Sequence, residues 1–501
     1  MIVPFGAEEP AALLLDGFIE SHLDTLLISR EGDTVVGGYL PGQLGDHDML
    51  SAALDSALPL LGEQLIAPLA AQLRAMGAHG VTLIPTGLLS LLPLHAATYT
   101  VDDHTHCLLD EFDVAYAPSA RVLSTAQREY ERRATGAPRL AGVGNPLPGT
   151  ATGIWARSEL QRALPLIRQQ VAALLPQLEA TAQQAAPDAR DMLVKLAQRW
   201  RASLERLEQV AHQLPEQVVK AGHDLLLAAA LFAGLPNDAG LPLLQLVARI
   251  PPSLTYARSE LASILDLLPP SAGTALYEQA ATRAALWATL PEATIAHFSC
   301  HGSFGLADTL DSALLLGDET RLTLRDLVTG DTSALANLRL VALSACQTAI
   351  TDFRRVPDES IGLPGGFLQA GVPAVVGTLW SVNDLSTALL MHRFYELHLQ
   401  GDSAAGLAPQ PPVRALRLAQ CWLRDLTYQG MYDYFEQHRQ LRAARPVSNG
   451  ERMPGSMLNE GRLAAEEGMV VENPQARPYA DPLYWAAFTF SGVMEGGNDG
   501  R

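Results

Sequence analysis

Leu338-Arg-Leu-Val-Ala-Leu-Ser-Ala-Cys346-Gln-Thr-Ala349 decides how the rest of the chain is read. Leu340–Leu343 is a short apolar run with a β-branched residue, the pattern of a strand buried on both faces. It stops at the small residues Ser344 and Ala345 and delivers a thiol, Cys346, at the carboxyl end of that strand. A second run, Thr294-Ile-Ala-His-Phe-Ser-Cys300, ends in His301-Gly302. In open parallel α/β sheets, chemistry collects beyond the carboxyl ends of the strands. Two such strands lying side by side would bring His301 and Cys346 to one sheet edge, which is a cysteine–histidine dyad in outline.

The composition narrows the alternatives. A length of 501 residues allows two to four domains, and 48% hydrophobic residues suffice for sizeable cores. A formal charge of −19 argues against a nucleic-acid partner, which needs clustered Lys and Arg on one face. The four cysteines (Cys107, Cys300, Cys346 and Cys421) include no Cys-x-x-Cys, so neither a disulfide framework nor a zinc cluster is expected. The amino terminus lacks the basic and apolar regions of a signal peptide, and no apolar run approaches the ~20 residues of a membrane span. A cytoplasmic protein with no membrane partner is therefore expected.

Taken in order, the pattern alternates strand and helix. Asp24–Ser29 and Thr34–Leu40 read as a hairpin about Arg30–Asp33, and Asp48–Met76 repeats leucines at helical spacing. Gly80–Pro85, Phe112–Pro118 and the run from Arg139 read as strands, with Ser119 capping the helix after the second. From about Gly153 to Ala248 the character changes. Leu193, Leu196, Trp200, Leu204 and Leu207 recur every three or four residues, and Pro165, Pro176, Pro187 and Pro215 punctuate the region. It reads as an inserted helical subdomain. Val372–Trp380 and Tyr484–Phe490 read as the later strands, with a helix over Leu385–Leu399 between them. Ala444–Tyr479, rich in Gly, Pro and charge, reads as a long loop or lid. The division expected is 1–152 as an amino-terminal α/β half, 153–250 as the helical insertion and 251–501 as the half carrying the dyad. The fold class is α/β, a mostly parallel sheet flanked by helices.

The dyad chemistry sets its own requirements. The thiol must lose its proton to a base within ~2.6–3.2 Å once substrate is bound, and the tetrahedral oxyanion needs two donors. The backbone amides of Gly302 and Cys346 are the candidates, since Gly302 lets the main chain approach without a Cβ. Two rival chemistries fail on spacing. His297 and His301 form His-x-x-x-His, but on a strand they stand ~13 Å apart, too far to share one metal. Gly362-Leu-Pro-Gly-Gly366 lacks the Lys-Ser/Thr ending of a phosphate loop and reads as a turn into a helix ending at Gly371. No metal and no cofactor are expected.

His301-Gly-Ser-Phe, Leu343-Ser-Ala-Cys-Gln-Thr348, Gly366-Phe-Leu-Gln-Ala-Gly-Val-Pro-Ala-Val-Val-Gly-Thr-Leu-Trp380-Ser-Val-Asn-Asp384 and Tyr484-Trp-Ala-Ala-Phe together resemble the CHAT domain. Leu83–Ala96 and Tyr116-Ala-Pro-Ser119 are similar to its amino-terminal half. The resemblance implies a caspase-like sheet, with His301 and Cys346 at the dyad positions of a cysteine endopeptidase acting on protein substrates. Gln347 and Ala349 depart from the family's usual Glu and Gly. By the same resemblance Ser344, two before the nucleophile, floors the pocket for the residue before the cut. Trp380 is expected to wall the adjoining pocket, and Asn383 and Asp384 to add polarity. A neutral Ser344 points to a neutral or apolar preference. Helical repeats common beside this domain are missing here, so either the regulator of a latent enzyme is expected to be another chain, a helical-repeat protein, or none was ever needed. The alternative is a catalytically silent caspase-like scaffold.

Overall fold

The computed structural model describes residues 29–31, 34–37, 39, 47–133, 136–146, 254, 256–303, 309–317, 320–344, 362–442 and 473–494, with scattered residues of 165–208. At its centre is an eight-stranded sheet. Its strands are β1 (Gly80–Leu83), β2 (Asp113–Tyr116), β3 (Leu140–Gly144), β4 (Gly273–Tyr277), β5 (Ile295–Ser299), β6 (Leu340–Leu343), β7 (Ala374–Thr378) and β8 (Phe488–Gly492), in the spatial order β1-β2-β8-β7-β6-β5-β3-β4. Of the neighbouring pairs only β7–β8 is antiparallel, so the expected α/β, mostly parallel sheet is what forms. Strand β3, from the first third of the chain, lies between β5 and β4 from beyond residue 250; one sheet draws on both.

Burial on both faces explains why the central strands are continuous apolar runs. Leu340 and Ala342 of β6 and Ala374 and Val376 of β7 enter one core, while Val341, Leu343 and Val375 enter the other. The first core is closed by helices α1 (His47–Leu61), α4 (Ala257–Asp266), α6 (Asp384–Leu399) and α7 (Pro412–Asp425). The second is closed largely by α3 (Ala120–Arg132), α5 (Leu363–Gln369) and the helix Leu324–Thr329. As expected, Ser119 caps α3 by accepting from the Val122 amide at 3.2 Å. Gly371, with φ +89°, terminates α5 in the left-handed region.

Three local readings change. The helix expected over Asp48–Met76 is α1 and α2 (Ala67–Ala75) joined by a π turn at Gly62–Ile66. There the Thr98 backbone comes so close that a Cβ on Gly62 would stand 1.7 Å from its carbonyl oxygen. The closing strand begins at Phe488, not Tyr484, because Asp481 accepts from the Leu483 amide and starts a short helix at Pro482. Strand β4 escaped the periodicity reading because Gly-Thr-Ala-Leu-Tyr at a sheet edge has no run of large apolar residues.

In the middle region every described residue between 165 and 208 is helical. Ion pairs join Arg168 to Glu208 at 2.7 Å and Glu179 to Arg201. Partners that rise in number on one side fall on the other, as in an antiparallel helical hairpin. The rest of 153–250, and 444–472 of the expected lid Ala444–Tyr479, lie outside the described residues. Among the described residues no helix is long and apolar enough to cross a membrane.

Candidate active site

The two strands that the opening argument needed side by side are neighbours: β5 and β6 pair in parallel, Leu340 to Ile295 through Leu343 to Phe298. They are held firmly. Beneath β5, on the face of the first core, Glu260 of α4 is 1% exposed and accepts from Ser299 Oγ at 3.1 Å. His297, with no exposure at all, sets Nε2 against the same carboxylate at 2.9 Å and Nδ1 against the Tyr395 hydroxyl at 3.2 Å. A buried carboxylate is tolerable only when paired and hydrogen-bonded in this way. His297 therefore has both nitrogens occupied and is a structural residue.

Beyond β5 the chain leaves the main sheet at His301. Its carbonyl accepts from the Leu315 amide at 2.8 Å, and Gly302-Ser303 then pairs antiparallel with Ala313–Leu315, which pairs in turn with Arg321–Thr323. Gly302 faces Leu314, and the bond to the neighbouring Leu315 is made by His301 rather than by Gly302. His301 is only 4% exposed. His301 therefore holds a strand end, but a covered one.

Ser344 follows β6 directly. It is buried, and its Oγ has no hydrogen-bond partner among the described residues. Cys346, both as nucleophile and as the second oxyanion donor, lies outside the described residues, as does the rest of 345–361. The other three cysteines behave as structural thiols. Cys300 is buried in the second core. Burial raises Cys421 to about 11 and Cys107 further still, and neither forms the thiolate a nucleophile requires.

The expected pocket residues divide. Trp380 does not wall a pocket. It has no exposed surface, donates its indole N–H to the Leu483 carbonyl at 2.9 Å and meets the Tyr39 ring edge-on at 6.2 Å. An indole that finds its acceptor inside the core stays there. Asn383 caps α6, its side-chain oxygen accepting from the Ser386 amide at 3.0 Å. Asp384 accepts from the Tyr256 amide at 2.7 Å and so ties the start of α6 to the start of α4. Both are partly exposed, and both side chains have structural tasks. The Pro-Leu-His stretch and Tyr116-Ala-Pro are joined by the Tyr116 hydroxyl, 3.1 Å from the His95 amide and 2.9 Å from its Nδ1.

A cleft follows the seam between β2 and β8, which share a single bridge from Tyr116 to Ser491. Ala117, Pro118, Gly362, Leu379 and Thr489 contribute to its wall. Gly362 is the first described residue after the Cys346 segment, so the cleft reaches the far end of that segment.

A mostly parallel sheet in which β1, β2 and β8 run opposite to the other five strands, flanked by helices on both faces and carrying a histidine at a strand end, is that of a caspase-like α/β protein. The CHAT domain family model matches residues 56–493, and the chain belongs to that family. No curated protein matched the chain.

Sequence reasoning missed Glu260 and Tyr395, the pair that fixes β5. Nothing in the sequence marks them, because a buried glutamate on an amphipathic helix has the same spacing as a solvated one.

Proposed function

We propose that the chain is a cysteine endopeptidase in which Cys346 is the nucleophile and His301 the base. The observation that carries this reading is the β5–β6 register. Phe298 and Leu343 are paired, and His301 and Cys346 each follow three residues later in the sequence.

The chemistry follows from those roles. His301 accepts the thiol proton, and the Cys346 sulfur attacks the scissile carbonyl carbon. The resulting oxyanion is held by the amides of Gly302 and Cys346. The C–N bond breaks, the leaving amine takes its proton from the His301 imidazolium, and the acyl group remains as a thioester. Water, losing a proton to His301, then hydrolyses the thioester and releases a carboxylate product. Ser344, neutral and with its hydroxyl unengaged among the described residues, favours a neutral or apolar residue before the cut.

The burial of His301 supports latency, since a peptide carbonyl cannot reach a ring with 4% exposure until the surrounding chain moves. Activation belongs to a partner, for which a separate helical-repeat chain is the proposed candidate, that binds the opened form better than the closed one. The same burial favours a second reading, a silent scaffold that never opens. Labelling of Cys346 by a thiol-reactive peptide probe separates them. The peptidase requires labelling that falls when His301 is replaced. Equal labelling with and without His301, or none even under conditions that open the site, leaves the scaffold.

A further inference from the structure

Away from the sheet edge, His392 and Glu396 stand one turn apart on α6, and His438 closes helix α8 (Tyr428–Gln437) against them. One ligand atom from each of the three lies within 4.8 Å of the others. We propose that His392, Glu396 and His438 form a binding site for a divalent transition-metal ion, with zinc the best match, that clamps the end of α8 to α6.

The proton count fits a ligand set. Tyr434 donates its hydroxyl to Glu396 Oε2 at 3.3 Å. Its oxygen, 2.6 Å from His392 Nδ1, is then left to accept from Nδ1–H. That tautomer puts the lone pair of His392 on Nε2. Arg393 takes Glu396 Oε2 at 2.6 Å, leaving Oε1 to face His438 Nε2 at 3.7 Å. These surrounding bonds orient ligands as the outer shell of a metal site does. Arg393 also pairs with Asp402, so two carboxylates against one guanidinium leave one negative charge beside two imidazoles. Two imidazoles and a carboxylate match the preferences of zinc, and a partly exposed His438 leaves room for water as a fourth ligand.

The same three residues explain a contrast with His297. There the carboxylate lies directly on an imidazole nitrogen at 2.9 Å in a closed core, whereas here Glu396 Oε1 stands 3.7 Å from His438 Nε2, and one ligand atom of each of the three residues lies within 4.8 Å of the others.

The full-length protein, stripped with chelator and titrated calorimetrically with zinc alone, should bind one equivalent. His438→Ala and Glu396→Gln should abolish that binding, and Tyr434→Phe should weaken it about 10- to 100-fold. Replacing the exposed His104 should change nothing. Because a variant could fail through misfolding, His438→Cys provides a second readout. Loaded with cobalt in place of zinc, it should show a thiolate-to-metal charge-transfer band that the wild type lacks. No zinc binding by the wild type, zinc binding unaltered in His438→Ala, or no such band in folded His438→Cys would each overturn the site.

Discussion

His297 and His301 lie four residues apart on one stretch of chain, and their surroundings could hardly differ more. His297 is inside β5, where α4 and α6 cover the sheet, and Glu260 and Tyr395 occupy both of its nitrogens. His301 is past the strand's last residue, where the chain turns away into Gly302-Ser303 and the main sheet ends. The difference teaches that position relative to the strand end, not residue type, assigns the task. Inside the strand the backbone is locked into the ladder and the imidazole serves to satisfy a buried carboxylate. Past the end, the ladder of the main sheet no longer fixes the backbone, and the chain is free to turn into Gly302-Ser303.

The sharpest way to break this comparison is to exchange the consequences of mutation. Replacing His301 by Gln, chosen because the site is buried and Ala would leave a cavity, should lower probe labelling of Cys346 about 10²- to 10⁴-fold, the usual weight of a general base. The melting temperature should move little by comparison. A labelling rate within a factor of two of wild type would show that His301 is as structural as His297.

Next in size is the reverse experiment. Glu260→Ala orphans His297 Nε2 and Ser299 Oγ in a closed core, and such losses cost about 3–5 kcal/mol. Denaturant unfolding should show the whole deficit. Glu260→Gln, which keeps an acceptor for one of the two groups, should recover more than half. If Glu260→Ala unfolds like wild type, the network is ornamental and β5 is held by its ladder alone.

How much of this was legible beforehand depends on what kind of signal each feature leaves. Strands buried on both faces announce themselves as apolar runs, so β5, β6 and β7 are legible to within two residues, while the adjacency of β5 and β6 was implied only by the family resemblance. The edge strand β4 left no such signal. Caps are equally local: Ser119 was readable because an N-cap acts within three residues. In the Glu260–His297–Tyr395 network the partners stand 37 and 98 positions apart, and His438 comes 42 positions after Glu396. Only the packed fold brings them together, so no spacing rule could find them. Trp380 failed for a related reason. Its place just after a strand is visible in the sequence, but the direction of its ring is set by the Leu483 carbonyl more than 100 positions later.

That correction is itself testable. Trp380→Phe removes the indole donor and leaves the Leu483 carbonyl without it in the core. The expected loss is about 1–3 kcal/mol, from the orphaned acceptor and the smaller ring together. Peptide preference should be unchanged once activity can be measured, because a ring with no exposed surface touches no substrate. A shifted preference with normal stability would restore Trp380 to the pocket.

The smallest effect expected is at Asn383, and it distinguishes a cap from a substrate contact. Its side-chain oxygen accepts from the Ser386 amide, one of the donors that a helix start leaves without an intrahelical partner. Asn383→Ala should therefore cost about 1 kcal/mol of stability. Asn383→Ser and Asn383→Asp, which keep an acceptor at the same reach, should restore it. Asp adds a negative charge where the helix dipole welcomes one, so it should do at least as well as Ser. A substrate contact predicts a different ranking. The amide's two donors would be lost in Ala, Ser and Asp alike, and cleavage would suffer equally in all three while stability recovered in two. Thermal melts of the four proteins, set beside their cleavage rates on one peptide, decide between cap and contact.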